Sequence, residues 1–448
     1  MHPMVKPALR RGWRDLNTVQ FGMTPAHAMT LGPMDTATGS FLDLLDGTRG
    51  LPLLRAEARR MDLPDGHVDA LVERLARAGL LDDARGGGPD AEALREKPDL
   101  LDRLRPELAA LSLTTPEPGD ALRHLAARRA LRVQVRGAGR VGALLASLLS
   151  GAGVGEVDVR DVGRVETWDV APGGLPAEAV GDRRDEAARR AVRRAAPGRP
   201  PRRGPAAPSE SGGDGGFSLV VLAPRDDVAV HAPALPEDLV ASGTPHLYAG
   251  VVEATGVVGP LVLPGETGCA GCLHEARTDR DATWPRLVAQ WRSGRPRRVT
   301  SGDLTLATTV AGLAAAHALA FLDGRMPSSA GARWEVALPT LHWHARPVWP
   351  HPACPCGAVE EGAGEADAGE ADAGEADAGE ADAGEEGAAG RGAAREQAAQ
   401  ERAARKGKEE HAAEDGARRE TMAEQRPSVR VRRKAGATRP AGTWRAHV

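Results

Sequence analysis

Residues 131–161 read LRVQVRGAGRVGALLASLLSGAGVGEVDVRD, and the order of residue types in this stretch decides the fold. LRVQVR alternates apolar and polar side chains, which is the period of a strand. Gly137, Gly139 and Gly142 then fit G-x-G-x-x-G and open directly into the helical stretch RVGALLASLL. The first glycine permits a tight turn, the second lets a phosphate approach the backbone, and the third allows close helix–strand packing. Free N–H groups at the helix start attract an anion. Asp161 ends a second strand about 20 residues on, where an acid can bind ribose hydroxyls. The stretch therefore predicts an α/β, Rossmann-like unit with Gly137, Gly139, Gly142 and Asp161 as nucleotide-binding candidates. NAD, FAD, ATP or no ligand at all are open at this point.

The bulk of the chain narrows the choices. With 448 residues it has room for two or three domains. A net charge of −4 gives no global pull toward nucleic acid or an anionic membrane. No run of about 18 apolar residues predicts a spanning helix, and the opening MHPMVKPALRRGWRD lacks the apolar core of a signal peptide. The expected location is cytoplasmic, with neither membrane nor nucleic acid as partner. The only lysines are Lys6, Lys97, Lys406, Lys408 and Lys434, so any cation needed between 98 and 405 must be arginine.

The four cysteines fall in two close pairs, Cys269 with Cys272 and Cys354 with Cys356. Two such pairs a long interval apart predict a tetrahedral all-thiolate zinc site, closed and structural, with His351 as a substitute ligand. All the cysteines are then used, and none remains as a nucleophile for a thioester.

Along the chain, residues 1–85 read as a small α+β domain. TVQFGM and HAMTL are two short strands around the turn TPA, and helices follow at GSFLDLLDG, LPLLRAEARRM and DGHVDALVERLARAGLL. A short sheet plus helices is a winged-helix pattern. Its last helix is of mixed charge, which argues against reading DNA. Residues 86–130 are a helical connector, and 131–357 form the central domain. Inside that domain the segment 197–216 is too rich in Pro, Gly and charge to order. The tail, 358–448, contains the acidic repeat GEADAGEADAG and a basic end and is expected to be disordered.

The central domain resembles the opening and later landmarks of ThiF-type adenylyltransferases, the superfamily of ubiquitin-activating enzymes. The matching pieces are GAGRVGALLASLLSGAGVGEVDVRDVGRVE, FSLVVLAP, TPHLYAGVVEATGVVGPLVLPGETGCAGCL and LTLATTVAGLAAAHALAFLDG. The resemblance implies ATP with Mg2+ as the ligand and attack of a carboxylate on the α-phosphate, which needs cations on the phosphates and an acid on the metal. Several positions depart from the family. Asp161 and Val165 hold, but Gly163 replaces an acid, Asp169 an asparagine and Pro172 an arginine. Arg184 stands for a lysine, which keeps charge but changes shape. Asp226 or Asp227 is the metal-linked aspartate. Arg184 and Asp226 are thus the catalytic candidates, in a site expected to be degenerate.

A winged-helix module before such a domain resembles proteins of azol(in)e-containing ribosomal-peptide biosynthesis. The resemblance implies that the small domain binds the leader of a precursor peptide and presents it to a partner cyclodehydratase. Strand addition is the physical mode, with TVQFGM or HAMTL as the edge and Val19, Phe21, Val68 and Leu71 as peptide-binding candidates. Relatives of this kind are commonly homodimers. Two alternatives stand beside it. One is a working adenylyltransferase that uses Arg140, Arg183 or Arg184 on the phosphates, and the other is an interaction scaffold.

Overall fold

Three sheets organise the residues that the computed structural model describes, 1–199, 216–293 and 302–358. All lie in one contact-defined unit, Met1–Glu365. The Pro/Gly-rich interior of 197–216 and the acidic repeat and basic end of the tail lie outside the described residues.

The chain starts with β1 (Pro3–Val5), β2 (Arg11–Asp15), β3 (Thr18–Phe21) and β4 (Met29–Leu31). Helices α1 (Thr36–Phe41), α2 (Leu51–Arg60) and α3 (His67–Arg77) follow, and β5 (Leu81–Asp83) returns to pair with β1. Strands β2, β3 and β4 form an antiparallel sheet in that order. The stretch TVQFGM therefore supplies the central strand and cannot be the free edge; β4 and β2 are the edges. β2, RGWRD, is exposed along its whole length and carries no apolar alternation, so periodicity does not reveal it. Trp13 nevertheless anchors it: a Cβ on Gly39 of α1 would stand 2.5 Å from the Trp13 ring.

Val19 and Phe21 are 0 % exposed, Val68 3 % and Leu71 5 %, all in the core between this sheet and its helices. This corrects the expectation that they face a peptide. The helical period that singled out Val68 and Leu71 marks the face turned inward, where these side chains are buried in the core.

The connector is α4 (Gly88–Arg95), α5 (Pro98–Arg103), α6 (Arg105–Thr114) and α7 (Asp120–Ala130), around a small core that includes Leu104 and Leu125. Buried Lys6 donates to Thr115 O at 2.8 Å, and Asp82 accepts from Gly119 N at 2.7 Å, so polar clamps tie the connector to the first domain.

The third sheet holds β6 (Arg132–Arg136), β7 (Glu156–Arg160), β8 (Leu219–Leu222), β9 (His246–Val252), β10 (Thr255–Val262), β11 (Ala332–Ala337) and β12 (Trp343–Pro347). Its order is β12-β11-β10-β9-β8-β6-β7, parallel from β7 to β9 and antiparallel beyond. The intervening helices are α8 (Arg140–Gly151), α9 (Arg184–Ala195), α10 (Asp227–His231), α11 (Glu237–Ala241), α12 (Ala270–Arg280), α13 (Trp284–Ser293) and α14 (Leu304–Leu322). Helix α8 is apolar almost all round because it lies between sheet, α9 and α14.

Helix α14 is 19 residues long, with a mean hydropathy of 1.6, enough on length and composition to cross a bilayer. Its Leu306, Val310, Ala311, Ala314 and Ala318 are buried, and it packs on α8, β9 and β10. It is placed as the core helix of the sheet.

Candidate functional site

Strand β6 delivers the glycine turn where the chain order switches sides, with β7 on one flank and β8 on the other. A crevice opens at such a switch point. Gly137 has φ +108°, and a Cβ there would stand 2.0 Å from Ala223 O, so only glycine fits. A Cβ on Gly142 would stand 2.1 Å from Gly137 O, which is the close packing expected of the third glycine. The amide of Ala138 donates to Asp161 Oδ2 at 2.6 Å. The turn and Asp161 thus converge at one end of the sheet.

The cations arranged around them are already engaged. Arg184 Nη1 donates to Asp161 Oδ1 at 2.7 Å and to Val162 O at 2.7 Å, Nε to Asp169 Oδ2 at 3.1 Å, and Nη2 to Arg164 O at 2.5 Å. Its side chain is 5 % exposed. Arg225 Nε donates to Asp169 Oδ1 at 2.9 Å, and its Nη2 to Glu166. Burial disfavours the charge on Arg225, but the carboxylates of Glu166 and Asp169 overcome this and hold its proton more firmly than usual. Asp161, Arg184, Asp169, Arg225 and Glu166 form a chain of alternating charge. Three carboxylates and two guanidiniums leave it at −1.

The cleft over Gly139 is lined by Arg140, Trp168, Asp169, Arg225 and Asp227 among others, and holds about 50 Å3. Arg140 Nη1 donates to Gly302 O at 3.0 Å, and its Nε is buried with no hydrogen-bond partner. Asp226 is exposed and caps α10, accepting from Ala229 N at 2.9 Å. Arg183 pairs with Asp185 and Glu186 on the surface. Gly163 takes φ +87° and lies beside Arg184. Sequence reading missed Arg225 and Trp168. The signal for Arg225 was a lone cation in the turn PRDD, next to the aspartates that drew attention instead.

The cysteines form a second centre. The Sγ atoms of Cys269, Cys272, Cys354 and Cys356 are buried and lie within 4.8 Å of one another. The Cys269–Cys272, Cys269–Cys354 and Cys272–Cys356 separations are 3.8, 3.6 and 3.5 Å. Thiolates at about 2.3 Å from a central zinc span tetrahedral edges of about 3.8 Å, so the set fits a metal ion. The Cys269 thiol donates to Cys272, and with the His351 N–H at 3.3 Å it lowers the Cys272 pKa. Burial raises the Cys354 pKa. His351 itself is not placed as a ligand. Its Nε2 meets Asp279 at 2.9 Å and its Nδ1 accepts from Ala353 N at 3.2 Å.

Residues 120–357 match the ThiF family, and this chain belongs to that family. The fold is shared with solved structures. E. coli MccB bound to succinimide superposes with a TM-score of 0.56 at 13% identity, over 80% of this chain and 99% of that one. The microcin C7 biosynthetic enzyme MccB in complex with N-formylated MccA gives 0.56 at 14%, over 80% and 100%. The heterocyclase TruD gives 0.52 at 17%, over 80% of this chain and 43% of that one. No curated protein matches the chain in sequence.

Proposed function

We propose that this chain captures the leader of a ribosomally made precursor peptide on a winged-helix module and presents it to a partner cyclodehydratase, its own nucleotide cleft having left ATP chemistry. One observation carries the reading. Among the described residues, edge strand β4 has no strand on its outer side, with Met29 39 % and Met23 74 % exposed, and Arg74 of α3 bonds Gly32 O just past its end. An extended peptide can add to such an edge through main-chain hydrogen bonds while its apolar side chains cover the methionines. The engaged Arg184 supports the second half, because a guanidinium held by two carboxylates and two carbonyls offers little to a phosphate. The structural neighbours are in keeping with this reading, MccB having been solved with N-formylated MccA and TruD being a heterocyclase. The metal is read as zinc, held by Cys269, Cys272, Cys354 and Cys356. It would brace the chain ends that meet there and, with four sulfurs, leave no open position for catalysis.

The test is fluorescence anisotropy of a labelled synthetic leader, taken from a Cys/Ser/Thr-rich precursor encoded beside this gene. The protein should bind it, and Met29→Asp should weaken binding at least tenfold. No binding by the wild type, or binding indifferent to Met29→Asp, would sink the reading.

A working adenylyltransferase is the second reading, favoured by the intact glycine turn and by the unpartnered Nε of Arg140 beside it. MccB has been solved with ATP. Exchange of pyrophosphate into ATP, dependent on a peptide carboxylate, would establish it.

A further inference from the structure

We propose that Arg225 decides what the glycine turn admits, and that its side chain shuts nucleoside triphosphates out. This deepens the reading of a cleft that has left ATP chemistry, and names the residue that closes it.

The second glycine of the motif exists so that a phosphate can approach the backbone. Here that approach is taken. A Cβ built on Gly139 would stand 2.7 Å from Arg225 Cγ, 3.3 Å from its Cδ and 3.6 Å from its Nε. The aliphatic stem of Arg225 lies on the bare face of Gly139, in the space a phosphate oxygen would need. The head group is pinned on its far side. Asp169, 3 % exposed, accepts from Nε at 2.9 Å, and Glu166 takes Nη2.

Asp169 is pinned in turn, because its other oxygen holds Arg184 at 3.1 Å and the Glu166 N–H at 2.9 Å. The plug is therefore built into the folded core rather than lying loose on the surface. Charge points the same way. Arg225 is a cation, but its head group is already met by Glu166 and by Asp169, which lines the same cleft, so little of its charge is left for an incoming polyanion.

Removing the side chain beyond Cβ frees the face of Gly139 but leaves the Glu166 carboxylate, which is 42 % exposed. Two variants are needed for this reason: Arg225→Ala, and Arg225→Ala with Glu166→Ala. Titration calorimetry with Mg-ATP on the full-length, metal-loaded protein reads the outcome, and circular dichroism and metal content verify the fold of each variant. The wild type should give no binding, and at least one variant should bind at least tenfold more tightly than the wild type. Wild-type binding of Mg-ATP as tight as that of the variants would overturn the proposal, and so would two folded variants that both stay blank. Leader capture, measured separately on the same samples, can fail without touching this result, and the reverse also holds.

Discussion

Arg184 Nη1 donates to Asp161 Oδ1 across 2.7 Å, with the two side chains 5 % and 7 % exposed. The acid at the end of β7 therefore spends one oxygen on the glycine turn and the other on an arginine from the start of α9. Deleting the arginine would strand Asp161 and Asp169 without their buried cation. Arg184→Ala should cost about 3–5 kcal/mol of stability. Arg184→Lys, whose single ammonium cannot serve both carboxylates through a fork, should recover only part of it. Urea unfolding midpoints check both. A loss within experimental error for Arg184→Ala would mean that the cluster is solvated in solution.

The thiolate centre makes a sharper demand on a residue that is not a ligand. A Cβ on Gly271 would stand 2.6 Å from Cys354 Sγ, so Gly271→Ala must push that sulfur out of the tetrahedron. The variant should hold well under one metal ion per chain and show thiols that react quickly with a disulfide reagent. Elemental analysis and thiol titration decide it. Because metal affinity of this kind is folding free energy, the thermal midpoint should fall along with the metal content. Chelation of the wild type should reproduce the same fall.

Much of this architecture was legible in the chain, and the failures have physical causes. The glycine turn could be read because backbone sterics dictate it locally. Gly137 and Gly142 have no room for a Cβ whatever the ligand. The cysteine pairs could be read because sulfur spacing is a chemical constraint. By contrast, Val68 and Leu71 showed a helical stripe, and a stripe says only that a face is apolar, not whether core or peptide covers it. The exposed strand β2 has no apolar period to betray it. The ion chain through Arg184, Asp169 and Arg225 joins residues up to 64 positions apart, from Asp161 to Arg225, and pairing at that range needs the fold. Family resemblance pointed to Arg184 as a phosphate cation, and only its partners show it turned inward.

Acid should weaken the fold through histidines that it keeps neutral. Burial, as the largest cause, lowers His231, His246 and His317 below the usual 6.5, with Arg277 adding to the effect on His231. The unfolded chain then binds protons near pH 6.5 that the folded chain refuses. The contribution is present above that value and is lost as pH falls from 6.5 toward the lower folded values, by at most about 1.4 kcal/mol per pH unit for each group. His246 is 0 % exposed, and its Nε2 has no partner. His246→Leu should therefore flatten the fall in unfolding free energy between pH 6.5 and 5. An unchanged slope would show that another group dominates acid unfolding.

A buried ion pair joins the connector to the sheet. Arg128 of α7 grips Asp323 through Nε–Oδ1 at 3.0 Å and Nη2–Oδ2 at 2.5 Å, while its Nη1 donates to Ala152 O at 2.9 Å. The side chains are 4 % and 2 % exposed. Asp323 is the C-cap of α14, where the negative end of the helix dipole disfavours an anion. Without Arg128 this carboxylate would be buried at the wrong pole of a helix, with only the half-exposed Arg325 at 3.2 Å beside it. Arg128→Ala should cost about 3–5 kcal/mol. An apolar pair, Arg128→Met with Asp323→Leu, removes both charges and the dipole conflict, so it should recover most of that loss. A double-mutant cycle by chemical denaturation then reads the coupling directly. If the double variant lost the sum of the single losses, the bridge would be independent contacts, and packing around Ala152 would be what holds the connector to the sheet.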